Sequence, residues 1–174
     1  VEQFFWHTFC DHYLEIVKDR LYNPTIRGAA ARRSAQHTLY TALLNIMKMT
    51  APIMPHITEE IYQHYFARKE GVKSIHISPW PTYDEKQIDG QAELAGDIGV
   101  DIINVVRKWK SGQQLSMKQE LSELVLVREE KDFREMIESI KDDLRAVLNV
   151  RLIKFEGETQ LESEKFGVKV GIRK

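Results

Sequence analysis

Polar and apolar positions along this chain follow two rhythms, and the change between them falls near a Pro-Trp-Pro triplet at 79–81. Before the triplet the apolar residues recur at helical spacing. Gln3 to Arg20 reads as one helix. Thr8, Asp11, Glu15 and Lys18 form a narrow polar stripe, while Phe5, Trp6, Phe9, Cys10, Tyr13, Leu14 and Val17 take most of the remaining surface. A helix this apolar is expected to be buried among several others. Asn23-Pro24 breaks it. A second helix is predicted from Gly28 to Met49, with Leu39, Leu43, Ile46 and Met47 inward and Arg33, His37, Thr41, Asn45 and Lys48 opposite. Ala51-Pro52 ends it. Pro55 opens a third helix, where a missing N–H costs nothing. Glu59 and Glu60 suit its early turns. Ile57, Ile61 and Tyr65 share one side, and Gly71 stops it. Ser74 to Ile77 is a short strand candidate.

Beyond the triplet, helical and alternating patterns take turns. Glu93 to Lys110 is a predicted helix with Leu94, Ile98, Ile102, Val105 and Trp109 on one face. Leu121 to Arg128 reads as a strand. Glu130 to Leu148 is an amphipathic helix with Phe133, Ile137, Ile140, Leu144 and Val147 inward, and Val150–Glu156 and Phe166–Ile172 are further strand candidates. The expected fold is mainly α: a helical bundle over 1–83, then a small α+β module over 84–174.

Composition narrows the function classes. The 174 residues are 43% hydrophobic and 29% charged, which suits a globular chain rather than a disordered one. The single cysteine, Cys10, excludes an internal disulfide and fits a reducing, cytoplasmic setting. No apolar run approaches the ~20 residues a membrane span needs. The chain opens inside a helical pattern, so it is expected to be a piece of a longer protein. Its net charge of −1 conceals an asymmetry. Residues 1–83 hold nine Lys and Arg against seven Asp and Glu, and all six histidines. Residues 84–174 hold sixteen against nineteen. A general nucleic-acid coat would be far more basic, so any RNA binding must use a local patch in the first half.

Two dense motifs carry more. Phe5, Trp6, Phe9, Cys10, Asp11, Tyr13, Leu14 and Glu15 form an aromatic–W–x–x–F–C–D–x–Y–L–E run. Met54, Pro55, His56, Thr58, Glu59, Glu60, Tyr62 and Gln63 form an M-P-H-x-T-E-E-x-Y-Q helix start, and Ile77, Pro79, Trp80 and Pro81 follow. In this order and spacing they resemble the tRNA anticodon-binding domain of the class I valine–tRNA synthetases. The likeness is close over 1–83 and loose over 84–112. The F-C-D-x-Y-L-E run favours the valine enzymes; the isoleucine enzymes are the alternative within the family. The resemblance implies a helical bundle that grips the anticodon stem and loop of valine tRNA and works with the rest of the parent synthetase, with no membrane partner. The family's two ATP-handling signatures, of the H-x-G-H and K-M-S-K-S types, do not occur here. The segment is therefore expected to hold no catalytic residue and no cofactor, ATP being used by the parent's catalytic domain. The family's first bundle helix, which supplies base-stacking contacts, would lie upstream of Val1, so those contacts transfer to no position here.

Read from the residues alone, the best RNA candidates are Arg27, Arg32, Arg33 and His37. Arginine offers paired donors to phosphate and a plane for stacking, and Arg33 and His37, four apart, share a helix face. Against this, an exposed basic stripe is often only a solvated face. Lys18 and Arg20 close the first helix, and Arg107, Lys108 and Lys110 close the fourth; RNA contact competes there with the ordinary attraction of cations to a helix C-terminus. The aromatic first helix could stack bases or simply be core. His56, Glu60 and His64 repeat every four residues, but the outer two lie about 12 Å apart along the axis, too far for one ion, so no metal site is expected. Asp142 and Asp143 read as a solvated pair. Two other roles compete with RNA binding: a scaffold that docks on protein, and a small metal-dependent enzyme built around His56 and His64.

Overall fold

The structure, a computed structural model, describes residues 1–174. The chain divides into two compact units, Val1–Glu85 and Lys86–Lys174. It is a helical domain followed by a small α+β module. No helix is long and apolar enough to cross a membrane.

The first unit opens on a π-helical stretch, Phe4–Tyr13, followed by the short helices α1 (Leu14–Ile16), α2 (Lys18–Tyr22) and α3 (Pro24–Arg27). This departs from the single regular helix expected over Gln3–Arg20. Hydrogen bonds of the i→i+5 type, such as Leu14 N–H to the Phe9 carbonyl, widen the turn and re-phase the side chains. Phe5, Phe9 and Tyr13 stack at successive i+4 steps, with centroids 6.4 and 6.1 Å apart. Only Phe9 and Val17 are buried along the stretch, and Trp6 is 54% exposed. The expectation of a fully buried helix is corrected accordingly.

Gly28, at φ +85°, turns the chain into α4 (Ala29–Thr50), a conformation that glycine adopts without penalty. Pro55 begins α5 (Pro55–Tyr65) at its first position. Phe66 interrupts the helix, α6 (Ala67–Glu70) adds one turn, and Gly71, left-handed at φ +68°, ends it. The core of this unit is Leu44, Met47, Ala51, Tyr62, Phe66 and Ile75. It is built on the C-terminal half of α4, so the N-terminal half buries only Ala35. On α5 the inward residues are Thr58 and Tyr62, with Phe66 buried just past its end. The side bearing Ile57 and Tyr65 faces solvent, one position away from the face that the apolar spacing suggested.

Ser74–Ile77 is not a strand. Ile75–Ile77 forms a 3₁₀ turn. The Glu59 carboxylate takes the Ser74 hydroxyl (2.8 Å) and the Ile75 N–H (3.0 Å), and the Ser74 hydroxyl takes the His76 N–H (3.2 Å). Those N–H groups are then unavailable to a ladder.

In the second unit, α7 (Gly90–Gly112) and α8 (Phe133–Leu148) pack together. Asp89 caps α7 through the N–H groups of Gln91 and Ala92. Strands β1 (Leu121–Val127), β2 (Val150–Lys154), β3 (Leu161–Glu162) and β4 (Lys169–Arg173) form one sheet in the order β2–β1–β4–β3. The crossover through α8 makes β1 and β2 parallel; β4 runs antiparallel to both β1 and β3. Leu124 lies level with Ile153 and Ile172, and Leu126 with Val170, all buried. The inward residues of α7 are Ala95, Ile98, Ile102, Ile103 and Val106, so Leu94, 39% exposed, is not among them. Gly99 lies where an added Cβ would come within 2.8 Å of Ile140, bringing the two helices close. Asp143, expected in solvent, is buried at 6% exposure.

Candidate nucleic-acid interface

The N-terminal half of α4 is a cationic face left clear by the core's position further along the helix. Arg32, Arg33 and His37 are exposed. Gly28 precedes the helix with no side-chain cap, so the first-turn N–H groups add their own positive potential beside the arginines. Arg33, Gln36, His37 and Tyr40 fall at i, i+3, i+4 and i+7 on one side. Helix α6 forms the opposite wall of an open groove lined by Gln36, His37, Tyr40, Lys69 and Glu70. The Lys69 ammonium sits 5.0 Å from the Tyr40 ring centroid. The Tyr40 hydroxyl donates to Glu70 Oε1 at 2.6 Å. Burial, then the hydrogen bond to Glu70 and its charge, push the Tyr40 hydroxyl up to about 12, so it remains a donor. The ring also packs on Phe66, centroids 4.9 Å apart.

The remaining sequence candidates separate by their partners. Arg27 bonds Asp19 at 3.2 Å with its side chain only 12% exposed. It closes the α2–α3 turn together with Asn23, which donates to Asp19 at 2.6 Å. Arg27 is therefore set apart from the Arg32–His37 face. Lys18 pairs with Glu15 in the open, a contact too weak to withhold it from a phosphate. Arg20 and Arg107 are half-buried.

Lys110 overturns its expectation. It is 1% exposed, and its ammonium donates to the carbonyls of Met117 (3.1 Å), Gln119 (2.7 Å) and Leu148 (2.7 Å). Burial pushes its pKa down, while three carbonyl acceptors match the three protons of the charged form. Lys108 pairs with Glu164 at 2.7 Å. That pair is as open to solvent as Lys18–Glu15 and equally weak, so within the Arg107–Lys110 cluster it is Lys110 that burial withdraws from phosphate.

Periodicity did not reveal Gln36, Tyr40, Lys69 and Glu70 as one groove. They come from two helices, and α6 exists only because Phe66 interrupts the run from Pro55. The conspicuous Thr58–Gln63 motif has a different task. Thr58 donates to the Met54 carbonyl (2.8 Å), Tyr62 to the Val72 carbonyl (3.0 Å), Gln63 to the Lys73 carbonyl (2.5 Å), and Glu59 holds Ser74 and Ile75. Burial works to raise the Glu59 pKa, but hydrogen bonds from Gln63, Ser74 and Ile75, with His76 nearby, outweigh it and hold the carboxyl below its usual value. These residues fasten the 72–77 segment to α5. His64, at the far end of the possible metal series, bonds Glu60 at 2.9 Å.

A cationic helix start beside a groove of mixed polarity suits an RNA-binding module. The chain belongs to the family described as the anticodon-binding domain of tRNA ligase, whose model it matches over residues 1–126. It is similar to the valine–tRNA ligase of Pyrococcus furiosus, 36% identical over 167 residues, covering 95% of this chain and 18% of that one. The valine–tRNA ligase of Ehrlichia ruminantium is 37% identical over 171 residues, covering 98% and 20%. That of Wolbachia pipientis is 35% identical over 177 residues, covering 99% and 19%. The chain therefore spans about a fifth of the length of these curated relatives.

Proposed function

We propose that this chain is the anticodon-binding region of a valine–tRNA ligase, working in the cytoplasm. It holds the anticodon stem and loop of valine tRNA while a catalytic domain elsewhere in the parent protein spends ATP on aminoacylation. The single observation that carries the placement of this role is the exposed Arg32–Arg33–His37 face at the uncapped start of α4, in a chain of this family. Phosphate contacts fix the register of the RNA, and bases splayed from the loop are read by stacking and edge hydrogen bonds. Binding at the loop orients the distant acceptor end, which accelerates a reaction by positioning. The valine relatives over nearly the whole chain favour that enzyme over the isoleucine one.

Reversing charge at Arg32 and Arg33 together tests the placement. The Arg32→Glu/Arg33→Glu variant should lose at least about tenfold in tRNA affinity at low salt and show a shallower salt dependence, since each phosphate contact contributes about one to the slope. Unchanged affinity and slope would remove this face from the interface.

A docking role is favoured by a separate observation. Ile53, Met54, Ile57, Ile77 and Trp80 are large apolar residues that are all half or more exposed, except Ile57 at 49%. Ile53, Met54 and Ile57 are close in sequence around the start of α5, and exposed apolar groups so clustered suit protein contact, with the rest of the parent synthetase as the natural occupant.

A further inference from the structure

We propose that the groove between α4 and α6 receives one base of single-stranded RNA, with Lys69 and Arg33 on its flanking phosphates and Glu70 accepting a hydrogen bond from an amino group on the base edge. This rests on the RNA-binding reading above and gives it a specificity element. The motivating feature is a carboxylate fixed beside a lysine in a groove that opens next to the Arg32–Arg33 face. Glu70 lies beside Lys69 and across from His37, where it repels phosphate instead of holding it. Its placement is fixed, because the Tyr40 hydroxyl binds Oε1 at 2.6 Å. Tyr40 in turn contacts both Phe66 and the Lys69 ammonium. Glu70 is exposed and Tyr40 takes only Oε1, so its second oxygen remains able to accept a hydrogen bond.

An ionised carboxylate only accepts hydrogen bonds. It therefore favours a base edge that carries an amino group, as cytosine, adenine and guanine do. It disfavours uracil, whose edge sets two carbonyl oxygens around a single N–H. Lys69, a flexible point charge, suits a phosphate whose position shifts with the base bound. Base edges specify while phosphates position, so the two residues divide these tasks within one groove.

The experiment uses the 174-residue chain and fluorescence anisotropy with labelled heptamers of cytidine, adenosine or uridine. Wild type should bind the cytidine and adenosine heptamers about tenfold more tightly than uridine, and Glu70→Gln should shrink that ratio to about twofold or less. Lys69→Met should weaken all three alike and leave their ratio unchanged. Equal binding of the three heptamers by wild type, or a preference that survives Glu70→Gln, overturns the inference while leaving the phosphate-binding face in place. Absence of binding to every heptamer overturns it as well. If the Arg32→Glu/Arg33→Glu variant also keeps full tRNA affinity, the RNA reading of this face fails with it.

Discussion

A lysine whose ammonium is shared among three main-chain carbonyls cannot also hold a phosphate. Lys110 shows why a basic residue near a helix end reads ambiguously in sequence: the i+4 pattern locates it on α7, but nothing local says that the 117–119 segment and the end of α8 will close over it. Its role is to tie the 117–119 segment to the end of α8, with the bond to the Leu148 carbonyl fully buried. Lys110→Met keeps the aliphatic stem and removes all three bonds. It should destabilise the chain by about 2–4 kcal/mol in chemical denaturation with tRNA affinity per folded molecule unchanged. A stability loss below about 0.5 kcal/mol, the level of an ordinary surface change, would contradict the structural role. Arg27 carries a related lesson. Only Gly28 separates it from α4, which carries no acidic residue, yet Asp19 claims it, whereas Arg32 and Arg33 have no such neighbour in reach.

At the scale of elements, helix existence was legible and helix faces less so. Prolines 24 and 55 and glycines 28 and 71 mark real boundaries, because backbone restrictions act whatever the tertiary context. The inward face of α5 was misplaced by one residue. Thr58 and Tyr62 look polar by type, yet each buries its body and gives its hydroxyl to a carbonyl. The strand expected at Ser74–Ile77 failed for a long-range reason, Glu59 reaching from α5. That link predicts a pH effect. Glu59 has a folded-state pKa held below its ordinary value of 4.5, so its contribution to stability is fully present above that value and is lost as pH falls through the lower, folded one. Thermal melts of wild type and Glu59→Gln should differ most near neutrality and converge in acid. A gap that stays constant from pH 7 to pH 3 would show that the Glu59 charge does not fasten the 72–77 segment.

Across the whole molecule, the order of elements was readable: a helical unit, then α7–β1–α8–β2 with a parallel pair and two further strands. The short β3 was missed because two residues carry no alternation. Gly171 was not visible as a requirement either. It lies where an added Cβ would stand 2.1 Å from the Glu158 carbonyl oxygen, a contact between strand and loop that only the assembled sheet creates. The candidate interface was half legible. The α4 arginines announce themselves by spacing, while the α6 wall depends on how two helices fold onto one core. The motifs that point to the family mostly maintain this framework, and the cations that would meet RNA lie outside them.

Anticodon reading by this chain is the proposal on which the rest depends. Fluorescence anisotropy of the 174-residue chain with labelled valine tRNA, beside the same tRNA carrying a changed anticodon, at two salt concentrations, tests it most directly. Tighter binding to the valine anticodon is expected at both salts, with both affinities falling as salt rises. Equal affinity for the two tRNAs would contradict it and reduce the α4 face to a generic RNA surface.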